Sequence, residues 1–418
     1  MSKIIQYLDR LITEHHEGIE AWLAAEFSKT PPSFYSSVDL RHSGYKIAPV
    51  DTNLFPAGFN NLNESAIKRA SEQVKKHLDH YFPQAKRILL IPEEHTRNLF
   101  YLDNITTLKH ILEQAGKEVA LGFINASEPQ FTLTSASGTV LSLAAIENNN
   151  GSLIAKGGFV ADLIVLNNDL TTGIPPVLQG ISQPVIPSPW RGWHKRRKST
   201  HFTAYNTLAR QLGEQFHFDP WLISTIFHQC GTINFKEAKG VECVALGVDK
   251  VIHQLRQKYE EYGITEKPYV FIKADRGTYG MGIMTAHSGE ELYAMNKKIR
   301  KKMEVVKGGT SNTEVIIQEG IPTIDTIDGK VAEPFIYSIG DTPVGCIYRI
   351  NQSRDAYENL NASGMTFEQS VCEEESDAAK EKPCKRGVFN LVARLAALAA
   401  VREETTFKTQ SGTKSVSV

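Results

Sequence analysis

The sequence is short of the features that assign a function most quickly. It has five cysteines in 418 residues, and none stands in a close-spaced metal pair. That pattern argues against a disulfide-stapled secreted fold and a cysteine-held zinc. It fits a reducing compartment, so the expected location is cytoplasmic. Cys230, Cys243, Cys346, Cys372 and Cys384 read as ordinary thiols. Charge of one sign is also missing: 46 Lys and Arg stand against 47 Asp and Glu, a net charge of -1. No global field draws in nucleic acid or an anionic membrane, so any phosphate site must be local. No apolar run is long enough to span a bilayer, since "LVARLAALAAV" is short and holds Arg394. The N-terminus does not read as a signal peptide. Instead Ile4, Leu8, Leu11, Ile12, Ile19, Trp22 and Leu23 recur at helical spacing. Internal repeats are absent. So are a P-loop, a G-x-G-x-x-G fingerprint and a kinase catalytic loop.

What is present divides the chain. "KRILLIPEEHTRN", "LFYLDNITTLKHILEQAG", "KEVALGFIN" and "ADLIVLNNDLTTG" read as strand, helix, strand, strand, which predicts a parallel α/β sheet. The polar segment before the third strand predicts a strand or hairpin excursion. Residues 37–63, "SVDLRHSGYKIAPVDTNLFPAGFNNLN", are rich in Gly, Pro and Asn and read as an irregular loop. The proline-rich, then basic "IPPVLQGISQPVIPSPWRGWHKRRK" marks a boundary. Beyond it, helices near 202–216 and 248–263 lead into strand-like runs at 269–273, 313–319, 331–339 and 344–351. The last two read as a hairpin, and "ELYAMNKKIRKKMEVV" as one helix between the first two. The expected class is thus α/β followed by α+β. The expected units are 1–189, a basic helical connector at 190–265, a nucleotide-binding unit at 266–404 and a polar, disordered tail at 405–418.

The chemistry concentrates in "FIKADRGTYGMGIM", residues 271–284. Gly277, Gly280 and Gly282 let successive N–H groups turn onto an oxyanion, beside Arg276. Lys273, on the strand face of Phe271, can reach a phosphate as a point charge. A glycine-rich hairpin with a solvated lysine is the other reading. In "TEVIIQEGI", alternation sets Val315, Ile317 and Glu319 on one face, with Glu319 suited to a ribose hydroxyl and Gln318 to adenine, or else simply exposed at a strand end. In "VAEPFIYSI", Glu333 falls among Val331, Phe335 and Tyr337 on a face that should be buried, so it needs a cation or hydrogen bonds. Arg349 and Asn351 share a face in "GCIYRIN". "ENLNASG" offers Glu358, Asn359 and Asn361, oxygen donors of the kind Mg²⁺ takes, or a polar turn.

These blocks together resemble the ATP-grasp superfamily. "FIKADRGTYGMGI" is similar to its lysine strand and phosphate loop, and "IIQEGI" to its hinge strand. "VGCIYRINQSRDAYENLNASG" is similar to the arginine strand of the glutathione-synthetase-like branch. More narrowly, "VDLRHSGYKIAPVDTNLFPAGFNNL" with "VAEPFIYSIGDTPVGCIYRIN" resembles a small bacterial family of glutamate–cysteine ligases, over residues 35 to about 400. The resemblance implies an ATP-grasp architecture with an N-terminal parallel-sheet domain. It also implies an ATP- and Mg²⁺-dependent ligase joining L-glutamate to L-cysteine through a γ-glutamyl phosphate, the first step of glutathione biosynthesis. It places Lys273 and the loop glycines on ATP phosphates, Glu319 on the nucleoside and Arg349 on the transferring phosphoryl group. It places Glu333, Glu358, Asn359 and Asn361 on Mg²⁺. One departure stands out: no Glu-x-Asn metal strand follows the final helix.

Amino-acid substrates need cations for their carboxylates and oxygens for their ammonium groups. Arg41, Lys46, Asp51, Asn53, Asn60 and Asn61 offer both within the expected loop. The basic patch "PWRGWHKRRKSTHF" adds Arg191 and Arg196 as further anion contacts. Its rival readings are a solvated boundary loop and an RNA surface; the near-zero net charge argues against nucleic acid. Alternatives to the main reading are another ATP-grasp ligase, such as a glutathione synthetase or a glutamate-adding enzyme, and a non-catalytic nucleotide-binding protein.

Overall fold

Residues 87–186 build the parallel sheet that the strand and helix spacing predicts. The computed structural model describes residues 3–94, 97–277, 282–304, 313–369 and 386–411. Arg87–Pro92 lies between Glu118–Phe123 and Leu163–Asn167, all parallel, with Val185–Ile186 and Val140–Asn149 outside them. Leu163–Asn167 is buried throughout, the signature of a strand covered on both faces. The helix Leu99–Gln114 makes the crossover. The Asn98 side chain caps it by accepting from the Tyr101 amide at 3.2 Å, and Gly116 ends it at φ +84°. The polar excursion is a set of antiparallel strands, Gln130–Thr134, Val140–Asn149 and Ser152–Ala155.

The expected irregular loop is the largest correction. Residues 35–53 form two strands, Tyr35–His42 and Ile47–Asn53, paired antiparallel. They extend a second sheet whose other members are Lys330–Ile339, Thr342–Asn351, Met365–Gln369 and the short Thr326–Ile327. The reason is tertiary. Tyr35–His42 finds its second partner in Lys330–Ile339, far along the chain, and becomes an interior strand buried at every residue. Local turn composition cannot report a partner that distant. The expected units are therefore joined: one sheet draws strands from both ends of the chain.

A third, smaller antiparallel sheet runs Phe227–Gly231, Glu314–Glu319, Val270–Ala274, Met284–Ala286. The helix Val241–Tyr262 covers it and stops at Gly263, φ +62°. The single helix expected around 291–306 is two, Glu290–Tyr293 and Lys297–Glu304. Asn296 starts the second by accepting from the Ile299 amide at 3.0 Å.

The last helix, Arg386–Ser411, packs on the helix Lys198–Phe216 and on the strands Tyr35–His42 and Ile47–Asn53. Val392, Leu395, Ala396, Leu398 and Ala399 are fully buried there, so small residues let its backbone approach its neighbours closely. It runs past the expected end, making residues 405–411 helical rather than an unstructured tail, because an established helix extends one residue at a time at little cost. Residues 412–418 lie outside those described.

Candidate active site

The small antiparallel sheet and the larger antiparallel sheet that holds Tyr35–His42 meet at a cavity. One wall comes from Val270–Ala274 and the turn after it: Phe271, Lys273, Ala274, Arg276, Gly277 and Ile283. Strand alternation turns Phe271 and Lys273 to the same side, as expected. Lys273 Nζ donates to Gln318 Oε1 at 2.8 Å and to the Val50 carbonyl at 3.1 Å. Burial lowers its pKa to about 8, against the opposing pull of Asp51. Gly277 sits at φ +91°, a conformation that side-chain-bearing residues rarely adopt, and exposes its backbone to the cavity.

The opposite wall is made by Asp39, Arg41 and Glu333 of the large sheet, with Val50 and Asp51 beside them. Glu333 is buried, and it has the cations its sequence context demands. Arg41 Nε stands 2.7 Å from Oε2, and Arg349 Nη1 2.7 Å from Oε1. Burial raises its pKa, but the two guanidiniums outweigh burial and hold the carboxyl below the ordinary range. Arg349 also donates to Asp39 Oδ2 at 2.7 Å. Burial lifts the Asp39 carboxyl to about 6 despite Arg349. Lys198 reaches in from the first turn of its helix and pairs with Asp51 at 2.6 Å. Asp275, directly after the lysine strand, fixes that turn: its carboxylate accepts from the amide and the hydroxyl of Ser199, both at 2.7 Å. Asn359 and Asn361 complete the lining.

The cavity therefore brings together Lys273, Arg276, Gly277, Arg41, Asp51, Glu333, Asn359 and Asn361 of the residues singled out in the sequence. Gln318 and Arg349 stand directly behind it, each bonded to a residue of its lining. Glu319 does not reach it. Its strand face is the one expected, shared with Val315 and Ile317, but that face packs into the core. There Glu319 accepts from Lys46 at 2.9 Å, from Trp221 Nε1 at 3.2 Å and from the Ile226 amide at 2.9 Å. Lys46 is consumed in the same ion pair. Arg196 turns from the cavity to the last helix and forks onto Glu403 at 2.7 and 2.8 Å. Glu358 accepts from Arg354 at 2.6 Å and does not line the cavity; neither do Asn53, Asn60, Asn61, Arg191 or Gly282. Asn61 instead closes its own turn by donating to the Gly58 carbonyl at 3.1 Å. Gly280 lies outside the described residues. Asp39 and Lys198 are the cavity's unanticipated charged groups. Lys198 had a signal in the basic run; Asp39, between apolar neighbours on a strand not foreseen, had none.

The expected Mg²⁺ set does not fit a cage built by protein alone. Glu333 has both oxygens on arginines, Glu358 points elsewhere, and Asn359 Oδ1 accepts from the Asn361 amide at 3.1 Å. Among the described residues no group of three or more His, Cys, Asp or Glu is placed to hold a metal.

The Arg196–Glu403 pair yields a stability prediction. Burial would raise the Glu403 carboxyl, but Arg196 and His201 bring it from 4.5 to about 2. A carboxyl lowered in the folded state stabilises it above the unfolded pKa, and that contribution is lost as pH falls from about 4.5 towards 2. Glu403→Gln should thus be less stable than the parent at pH 7 by about 3 kcal/mol, with the gap narrowing to less than half of that by pH 3. Denaturant unfolding of both proteins at several pH values checks this.

In a mixed α/β fold, a lysine strand, a glycine turn and a carboxylate–arginine wall converge on one cavity, the setting of a ligase. The chain belongs to the glutamate–cysteine ligase family (GshA), whose model matches residues 9–404, and is an ATP-dependent ligase. It is also similar to a solved candidate gamma-glutamylcysteine synthetase from Methylobacillus flagellatus KT, with 40% identity, 97% of each chain covered and a TM-score of 0.88. Two further solved structures align more distantly. A D-alanyl-alanine synthetase A from Vibrio cholerae O1 biovar eltor has 12% identity, a TM-score of 0.32, and coverage of 74% of this chain and 80% of that one. A glutathione synthetase like-effector from Globodera pallida has 10% identity, a TM-score of 0.39, and coverage of 87% and 80%. No curated protein matches. No helix among the described residues is long and apolar enough to cross a membrane.

Proposed function

We propose that this protein joins L-glutamate to L-cysteine in the cytoplasm, forming γ-glutamylcysteine with ADP and phosphate as the other products. The observation that carries the reading is the division of one cavity into two walls. The Lys273, Arg276 and Gly277 side suits a phosphate chain, and the Asp39, Arg41 and Glu333 side suits an amino acid. Lys273 and Arg276 neutralise ATP phosphates while the Gly277 backbone lies against them. Glutamate presents its γ-carboxylate to the terminal phosphate. Phosphoryl transfer makes the acyl phosphate, and the cysteine amine displaces phosphate from it. The protein supplies positioning and fixed charge, with no covalent nucleophile. Arg349 acts by holding Asp39 and Glu333 in place rather than by touching phosphate. Mg²⁺ brought in with ATP would offset phosphate charge, and Asn359 and Asn361 are the expected ligands that line the cavity and would face it. Glu319, Lys46 and Arg196 serve the fold around the cavity through their buried ion pairs.

ADP release in the presence of Mg²⁺, screened over glutamate and cysteine singly and together, tests this. Turnover is expected only with the pair. Turnover with γ-glutamylcysteine plus glycine would make the protein a glutathione synthetase, and ATP binding without turnover under any pair would make it a nucleotide sensor.

A further inference from the structure

The cavity's charges do not close. Glu333 is matched by Arg41 and Arg349, and Asp51 by Lys198. Asp39 has only a share of Arg349, through Oδ2; its Oδ1 is buried and has no hydrogen-bond partner among the described residues. The residue is 6% exposed, lines the cavity, and stands directly across the strand pair from Asp51. Like charges opposed in this way repel, and a buried acceptor left empty is costly, so the arrangement asks for a cation supplied from the cavity. A divalent metal suits it poorly, because Arg349 and Lys198 already occupy the two carboxylates with positive charge. An ammonium group, singly charged and a hydrogen-bond donor, suits it well.

Resting on the ligase reading above, we infer that Asp39 Oδ1 receives the α-ammonium of the glutamate substrate and makes the site specific for an amino acid over a plain dicarboxylic acid. The attacking amine of cysteine must lose its proton and move towards the acyl phosphate. A carboxylate clamped by Arg349 serves the spectator ammonium better, since that group stays charged and still throughout. Asp39 therefore sets which acid enters; it moves no proton in the reaction.

The test compares glutamate with glutarate, which has the same two carboxylates and no ammonium, in the parent protein, Asp39→Asn and Asp39→Glu. In the parent, kcat/KM for glutamate should exceed that for glutarate by about 100-fold, the scale of a hydrogen bond to a charged group. Asp39→Asn should lose most of that preference, with the value for glutamate falling at least about tenfold further than the value for glutarate. Asp39→Glu should restore part of it. A general loss of structure would lower both acids together and leave their ratio intact. The inference is overturned if Asp39→Asn keeps the preference, if it shifts the Mg²⁺ requirement instead, or if the parent itself accepts glutarate as well as glutamate. The last comparison needs no variant to fold. Absence of any ADP release by the parent with glutamate and cysteine would instead remove the ligase reading, and this inference with it.

Discussion

Lys273→Ala is expected to lower kcat/KM for ATP by about 100- to 1,000-fold, the scale of removing one fixed charge from a phosphoryl-transfer site. Lys273 is the cavity's cation with the least acidic company. Arg41 is held by Glu333, Lys198 by Asp51 and Arg276 by Glu314, whereas Lys273 Nζ donates to a carbonyl and to the neutral amide of Gln318, lies 5.4 Å from the Phe271 ring centre, and is paired with no carboxylate among the described residues. Among the described residues of the lining, its charge is thus the least engaged by the protein's own carboxylates. The same isolation sets a pH dependence. With a pKa near 8, Lys273 loses its proton as pH rises through 8; a bound phosphate raises that pKa, so binding above pH 8 requires proton uptake. ATP affinity should fall as pH goes from 7 to 9 in the parent. It should stay flat in Lys273→Arg, whose guanidinium remains charged throughout. Calorimetric titration with a non-hydrolysable nucleotide at several pH values decides both points. Equal nucleotide affinity in Lys273→Ala and the parent would show that phosphate binds elsewhere.

Arg349→Ala should cause the largest loss of stability, about 3–5 kcal/mol. The guanidinium is buried between Asp39 and Glu333, and burial, which opposes its charge, is outweighed by the two carboxylates. Its removal leaves Asp39 with no paired cation and Glu333 with Arg41 alone, both carboxylates being buried. Arg349→Lys should recover part of the loss, since an ammonium restores the charge without reaching both carboxylates in one plane. Denaturant unfolding of the three proteins at neutral pH measures this. A loss under 1 kcal/mol for Arg349→Ala would mean that the carboxylates relax to water or protonate at little cost.

The basic run at 195–198 shows how far local sequence carries. Its composition announces an anion site, and Arg196 looks the best placed of its members. Yet the four side chains part company. Lys195 stays exposed, Arg196 forks onto Glu403, Arg197 takes Glu314, and only Lys198 enters the cavity. The helix begins at Lys198, Arg197 before it is extended and Lys195 lies in a turn, so neighbours in sequence point in unrelated directions. The hinge strand teaches the same lesson in a milder form. Alternation correctly groups Glu319 with Val315 and Ile317, but it cannot say which face meets the cavity. Gln318, one residue back, is the one that faces Lys273.

Sequence alone determined what depends on neighbours along the chain. It set the parallel α/β unit, the lysine strand with its glycine turn, the buried face that carries Glu333, and, through the length of its motif blocks, the family. Tertiary structure alone decided what depends on partners far apart: that residues 35–53 become strands of a shared sheet, that Asp39 and Lys198 join the cavity, and that Glu319, Lys46 and Arg196 are spent on the core. The reason is that backbone propensity and alternation act over a few residues, whereas a charged side chain is assigned by whichever opposite charge the finished fold brings within about 3 Å of it.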